Sequence, residues 1–238
     1  MNPRFSCGLT TMPLREFPSE AAECGTFLLL GESYTLNTSI QTDSGSIWHE
    51  IVCDHDAYKG YISDAYHKLS TPPLVNSYKV TQPHLSAEAS KRYISPGSHI
   101  DHFNTFTEKI DSKAFLRQYL GTPYLWGGRS IMGIDCSGFS QIYMDYLGIP
   151  LPRNASQQYL LGNPIEWGNH DFSDLAFFGS FPENAPPKIT HVGVVMDMNS
   201  IIHASGQVKM DTFTSHGIVT EPDSVLTHTL IGIKRYNK

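Results

Sequence analysis

The chain has 238 residues, of which 40% are hydrophobic and 17% charged, and a formal net charge of -6. That length suits two modules of ordinary domain size, and the composition supports packed interiors and argues against extensive disorder. The negative balance, with no cluster of Lys and Arg, speaks against a nucleic-acid partner, because phosphate recognition needs a concentrated basic surface.

The first residues, MNPRFSCGLTTMPLREFPSE, lack the apolar core of about seven residues that a signal peptide requires, and no later run approaches the length of a membrane span. If Met1 is the natural start, a cytoplasmic location is expected; if a leader has been trimmed, the cell envelope is. Cys7, Cys24, Cys53 and Cys136 lie far apart with no CxxC. Neither a disulfide framework nor a zinc knuckle is therefore expected, and the first three read as reduced, partly buried small residues.

From Phe5 to about Tyr66 the pattern is short strands: Thr26 to Gly31, Tyr34 to Leu36, Ser46 to Cys53 and Lys59 to Ile62, with Gly- or Asp-rich breaks. Such a series predicts a small all-β barrel. Pro72-Pro73 and Pro83 read as a linker, and Arg92 to Ser98 as a last strand returning to the barrel. The first module is accordingly placed at residues 1–105 and the second at 106–238.

After Asp111 the periodicity becomes helical. Phe115, Leu116, Tyr119 and Leu120 form one apolar face, with Gly121 where a helix stops. Phe139, Ile142, Tyr143, Tyr146 and Leu147 form a second, from Cys136 to Gly148, and Asn154 caps a third that runs to Leu161. Strands follow at Leu175 to Phe178, His191 to Met196, Ile201 to Ala204, Val208 to Met210 and Leu230 to Ile233. Helices first and an antiparallel sheet afterwards make the second module α+β.

The chemistry centres on Asp135-Cys136-Ser137-Gly138. Asp135 is a good N-cap, which puts Cys136 in the first helical turn, where the positive end of the helix dipole favours a thiolate. The alternative is a small residue buried at a helix start. A nucleophilic cysteine needs a base, and the base an orienting group. His191 opens one strand and His203 ends the next. A hairpin loop with an odd number of residues puts both imidazoles on one face, whereas a two-residue loop sends them to opposite faces. In the first arrangement His203 orients His191 and leaves its other nitrogen for Cys136.

Five separated blocks carry a resemblance: Pro123-Tyr-Leu-Trp-Gly-Gly128; Asp135-Cys-Ser-Gly-Phe139; Leu151-Pro-Arg-Asn-Ala-Ser-Gln-Gln158 with Gly162-Asn163 and Asp174-Leu-Ala-Phe-Phe178; His191-Val-Gly193; and Ile202-His-Ala-Ser205. In this order the second module resembles the NlpC/P60 family of papain-like cysteine peptidases. Met12 to Ser19, Leu30-Gly-Glu32, Trp48 and Tyr58 to Ile62 resemble a bacterial SH3 (SH3b) domain. The resemblance implies a γ-D-glutamyl-L-diamino acid endopeptidase acting on peptidoglycan stem peptides, with Cys136 as nucleophile, His191 as base and His203 as the polar third member. It further implies that Tyr124 lies near the nucleophile and assists the oxyanion. In relatives serving cell-wall recycling, the residues matching Asp135 and Ser137 hold the free amine of a terminal L-alanine. In those relatives the SH3b domain narrows the far end of the cleft and restricts cleavage to released peptides. Many SH3b relatives have Gly-Trp where this chain has Gly60-Tyr61. Tyr61 and Asp56 are thus candidates for the cleft border, and equally turn residues of a barrel.

His99-Ile-Asp-His102 and Cys53-Asp-His-Asp56 hint at metal, yet two ligands without a second pair, or a polar turn, explain them as well. No metal, cofactor, nucleic acid or membrane is expected, and the implied partner is a peptidoglycan-derived peptide. The rival functions are an amidase or acyltransferase using the same machinery, or a non-catalytic cell-wall binding protein.

Overall fold

Strand periodicity organises both halves of the chain. The computed structural model describes residues 2–85, 93–101, 105–222 and 224–237. It separates into two units, Met1–Asp111 with Leu125–Gly133, and Ser112–Tyr124 with Ile134–Lys238. Arg92 of the expected last strand and His102 of the His99-to-His102 pair lie outside the described residues.

In the first unit six antiparallel strands, β1 (Arg4–Ser6), β2 (Thr11–Arg15), β3 (Cys24–Leu29), β4 (Ser33–Gln41), β5 (Ile47–Cys53) and β6 (Lys59–Ser63), form one sheet in the order β1-β4-β5-β6-β2-β3. Residues from or beside every strand enter a single core of Cys7, Met12, Leu14, Leu28, Tyr34, Ile51, Cys53 and Ile62. The sheet therefore wraps around its own interior, as the short alternating strands predict. β2 was not read from the sequence because it contains Pro13. Its ladder with β6 is the single pair Arg15↔Tyr61, so the N–H that Pro13 lacks is not needed on that side. A one-turn helix, α1 (Asp64–His67), follows β6, and then come the short pairs of β7 (Tyr78–Lys79) with β10 (His99–Ile100) and β8 (His84–Leu85) with β9 (Tyr93–Ile94).

The excursion Leu125–Gly133 contains the two-residue strand β11 (Arg129–Ser130), which pairs with β12 (Gly133–Ile134). Arg129 anchors the excursion within the first unit. Its guanidinium donates to Glu32 Oε2 at 2.7 Å and Oε1 at 3.0 Å, and to the Phe27 carbonyl at 3.0 Å. Burial pushes the Glu32 carboxyl up, but Arg129 and the Leu29 N–H outweigh it and leave the group below its ordinary value.

The second unit begins with α2 (Ser112–Arg117), which buries Phe115 and Leu116 and tightens through Tyr119 and Leu120 to Gly121 at φ +83°. The central helix, α3 (Cys136–Tyr146), buries most of its length, packs against the sheet, and is followed by Gly148, also at φ +83°. Both stops fall at glycines because the left-handed conformation that ends a helix is strained for other residues. The third helix, α4 (Ala155–Tyr159), starts after Asn154.

The seven-stranded sheet has the order β13 (Asn163–Ile165), β19 (Val225–Arg235), β14 (Leu175–Ser180), β15 (Lys188–Asp197), β16 (Ser200–Ser205), β17 (Gln207–Thr214), β18 (Gly217–Thr220). It closes on itself: β19 pairs with β14 through its second half, Leu230 to Lys234, and with β18 through its first, Val225 to Thr229. The sequence reading found only the apolar second half of β19, because Thr227, His228 and Thr229 carry no hydrophobic signal. Ala176, Phe178, Val195, Ile201, Phe213, Ile218 and Ile233 fill the interior.

Candidate active site

Asp135 builds the start of α3. With extended φ and ψ of -96° and 175°, it accepts the Gly138 N–H at 2.7 Å as an N-cap. Arg153 then clamps it, donating through Nη1 to Oδ1 at 3.0 Å and through Nη2 to Oδ2 at 2.5 Å, while Nη1 also donates to Ser137 Oγ at 2.8 Å. Asp135 and Arg153 are almost wholly buried, so each charge depends on the other. Gln158 fastens the same turn, donating to the Ser137 and Pro152 carbonyls at 3.0 and 2.9 Å and accepting from Ser140 Oγ at 2.7 Å. Arg153 and Gln158 stand in a quoted sequence block, but no feature of the sequence alone assigned them to the helix start.

His191 and His203 share one face of the β15–β16 hairpin. The hairpin turns through two residues, since Asp197 pairs with Ser200, and a two-residue loop is the case expected to separate the imidazoles; a register shift between Val195 and Asp197 restores the parity, so that Gly193 pairs with His203 and Val195 with Ile201. His191 is two positions before Gly193, so the imidazoles meet diagonally rather than directly opposite. Gly193 makes this meeting possible: a Cβ there would stand 2.9 Å from the His203 Cβ and 2.8 Å from Ile201 Cδ1. His191 Nε2 and His203 Nδ1 lie 2.8 Å apart. Beyond them, His203 Nε2 meets Asp211 Oδ2 at 3.0 Å, and Asp211 also takes Lys209 Nζ at 2.8 Å and the Thr220 hydroxyl at 3.0 Å. His228 on β19 lays its ring 4.2 Å from that of His191.

By strand parity His191, His203 and Asp211 face the same side as Val195, Ile201 and Phe213. They form a polar layer at one end of an apolar interior, with Phe178 touching both His191 and His228. Sequence reasoning missed Asp211 and His228. The signal for Asp211 was its even spacing from His203 across a tight turn at Gly206, whereas His228 arrives by closure of the sheet and leaves no local mark.

The backbone N–H of Val192, the residue after His191, lies close enough to Cys136 to favour its thiolate, and α3 packs on β15. This puts the head of α3 against the start of β15. Tyr124 is half-buried, its N–H bonded to the Gly206 carbonyl at 2.8 Å, and its phenol is pushed up by burial and by Cys136 and Asp135 beside it. The thiol, contrary to the expectation from the helix end, is not primed for ionisation. Burial, reinforced by Asp135, pushes it up to about 12 against the N–H groups of Val192 and Ser137 and the Arg153 charge. Burial also holds His191 well below 6.5, with His203, His228 and Lys209 adding to the effect, and brings His203 to about 4 despite Asp211. The resting site therefore pairs a neutral thiol with neutral imidazoles, and proton removal must accompany attack.

In the first unit Asp56 accepts the Tyr58 N–H at 2.9 Å and meets His55 Nε2 at 3.2 Å, and Tyr61 stands in β6 opposite Glu50. Cys53, His55 and Asp56 bring potential metal ligands within 4.8 Å of one another among the described residues. The Arg129 charge bears on both Cys53 and Asp56, which disfavours a further cation there.

The chain is 32% identical over 131 residues to the gamma-D-glutamyl-L-lysine dipeptidyl-peptidase of Bacillus subtilis (strain 168), a stretch covering 55% of this chain and 41% of that protein. It is 37% identical over 91 residues to the probable endopeptidase NlpC of Escherichia coli (strain K12), covering 38% and 57% respectively. The chain thus spans about half the length of the curated relatives it matches. Its fold is that of a crystal structure of an NlpC/P60 family protein from Bacillus cereus ATCC 10987, with a TM-score of 0.73, 15% identity, and coverage of 98% of this chain and 99% of that one. Residues 121–225, which contain Cys136, His191 and His203, match the model of the NlpC/P60 family.

Proposed function

We propose that the chain is a cysteine endopeptidase that hydrolyses the γ-D-glutamyl–L-diamino acid bond of peptidoglycan stem peptides. The observation that carries this reading is the run from the buried His191 and His203 to the half-buried Asp211 beside a cysteine at a helix start, in the stretch that matches the family. The naming of the Bacillus subtilis relative as a γ-D-glutamyl-L-lysine peptidase supports the bond chosen.

In the proposed reaction the S–H bond of Cys136 breaks and its proton passes to His191 Nδ1 as the sulfur attacks the γ-carbonyl carbon of D-glutamate. The carbonyl electron pair moves to oxygen, where the Cys136 N–H and the Tyr124 hydroxyl donate to the oxyanion. Collapse expels the amine of the diamino acid, which takes the proton from His191 and leaves a thioester. Water, deprotonated by the same imidazole, hydrolyses the thioester and restores the thiol. His203 holds His191 in place throughout.

Asp135 and Ser137 would receive the free amine of a terminal L-alanine, their positions fixed by Arg153. The first unit is read as the SH3-like module. Incubation with L-Ala-γ-D-Glu-diaminopimelate followed by mass analysis tests the function: release of L-Ala-D-Glu is expected, and an untouched peptide overturns it. Slower cleavage of the N-acetylated peptide is expected if the amine site is right. Transfer of the acyl group to an added amine in preference to water would favour the acyltransferase reading instead.

A further inference from the structure

The histidine pair ends on a carboxylate that the Cys-His-His reading leaves unused. We propose that Asp211 is a positioning residue that sets the tautomers of both histidines and so fixes the direction in which His191 can move a proton. This rests on reading Cys136 and His191 as nucleophile and base.

An ionised carboxylate only accepts hydrogen bonds, so the 3.0 Å contact with Asp211 places the proton of neutral His203 on Nε2. His203 Nδ1 is then a bare lone pair, and the 2.8 Å contact with His191 Nε2 has to be donated by His191. That leaves His191 Nδ1 as its one lone pair, the atom able to take the thiol proton. With the carboxylate gone, His203 can instead donate from Nδ1 to His191 Nε2. His191 then carries its own proton on Nδ1 and cannot act as the base.

The groups facing this run are few. Lys209 and the Thr220 hydroxyl lie on Asp211, and the His228 ring stands 5.5 Å from that of His203 and 4.2 Å from that of His191. Burial pushes the Asp211 carboxyl up, but Lys209, His203 and Thr220 hold it below its ordinary value, so it stays ionised. His203 is fully buried, and no solvent contact competes with these bonds for its nitrogens. When His191 accepts the thiol proton it becomes an imidazolium with both nitrogens protonated. Its Nε2–H still donates to His203, and the proton on Nδ1 leaves with the departing amine.

The test has a readout independent of any substrate. Nitrogen NMR of the full chain with labelled histidines at neutral pH is expected to show His203 protonated on Nε2 and bare on Nδ1, with His191 in the same form. In Asp211→Asn, whose amide can donate as well as accept, that pattern should mix. Turnover of the stem peptide should fall about 10- to 100-fold with KM unchanged, alkylation of Cys136 by iodoacetamide should slow by a similar factor, and Asp211→Glu should recover part of both. A proton on His203 Nδ1 in the unaltered protein, or an Asn variant with full turnover and alkylation rates, overturns the assignment. If the Asn variant does not fold, the spectrum of the unaltered protein decides alone. Should the NMR pattern and the alkylation loss appear while no stem peptide is cut, the tautomer assignment holds and the peptidase reading falls.

Discussion

Glu32 in the first unit is a buried carboxylate and Asp211 in the second a half-buried one, and the two are answered differently. Glu32 in the first unit meets a guanidinium through both oxygens, so opposite full charges cancel inside the sheet. Asp211 in the second meets a neutral imidazole and a partly exposed lysine, so its charge is shared along a row of groups that can exchange protons. The first arrangement is closed: removing either partner strands a buried charge, and nothing in it titrates near neutrality. The second is open-ended, leading from Asp211 through two rings of depressed basicity towards a thiol. The Glu32–Arg129 pair thus serves cohesion, as the buried Asp135–Arg153 pair does in the second unit, whereas the row from Asp211 is the one proposed to serve proton transfer.

The sharpest way to break this contrast is Cys136→Ala. Hydrolysis is expected to fall by about 10⁴-fold or more while thermal stability is unchanged, measured by peptide assay and melting curve. Arg129→Met should do the reverse in kind, destabilising the first unit by about 3–5 kcal/mol in denaturant unfolding, because Glu32 is left buried and unpaired. The pH dependence of that stability follows from the lowered Glu32 carboxyl. The contribution of the pair is full above the ordinary carboxylate value of 4.5 and is lost as pH falls through the still lower folded value. Unfolding measured down this range should lose the difference between unaltered protein and variant.

Gly193→Val sharpens the second side. With a Cβ forced against His203, the imidazole pair should move apart and turnover fall about 100-fold, and the same overpacking should lower the melting temperature. The pH profile is the next handle. With the His191 imidazole held well below 6.5 and the thiol near 12, kcat/KM should stay level from neutral pH down past 6.5 and fail only on the acid side, when His191 is protonated. A profile rising in step with a thiol ionising near its ordinary 9.0 would contradict the neutral resting pair. The smallest effect is expected from His228→Phe. Removing a basic ring beside His191 should move the acid limb upward by less than about one pH unit.

Much of this molecule was legible in its sequence. The helix stops at Gly121 and Gly148 and the N-cap Asp135 follow from local rules of capping, whereas the shared face of His191 and His203 was one of two alternatives and depends on a register shift in the hairpin that leaves no mark in the sequence. What escaped depends on partners far along the chain. β2 was hidden because a proline reads as a strand breaker until its neighbours are known. The first half of β19 was hidden because its value lies in closing the sheet rather than in hydrophobicity. Arg153 was visible within a block of residues, yet its task, neutralising Asp135 beside the thiol, needs the fold. The rise in the thiol pKa was misjudged for the same reason: the helix end is a sequence feature, whereas burial and the neighbouring carboxylate are not.

In the proposed reaction the Cys136 sulfur reacts because His191 takes its proton. Timed alkylation with iodoacetamide, followed by peptide mapping of all four cysteines, measures this directly. Cys136 is expected to label ahead of Cys7, Cys24 and Cys53, and to lose at least about tenfold in rate in His191→Ala. Equal labelling of the four, or a Cys136 rate indifferent to the loss of that imidazole, would contradict the account.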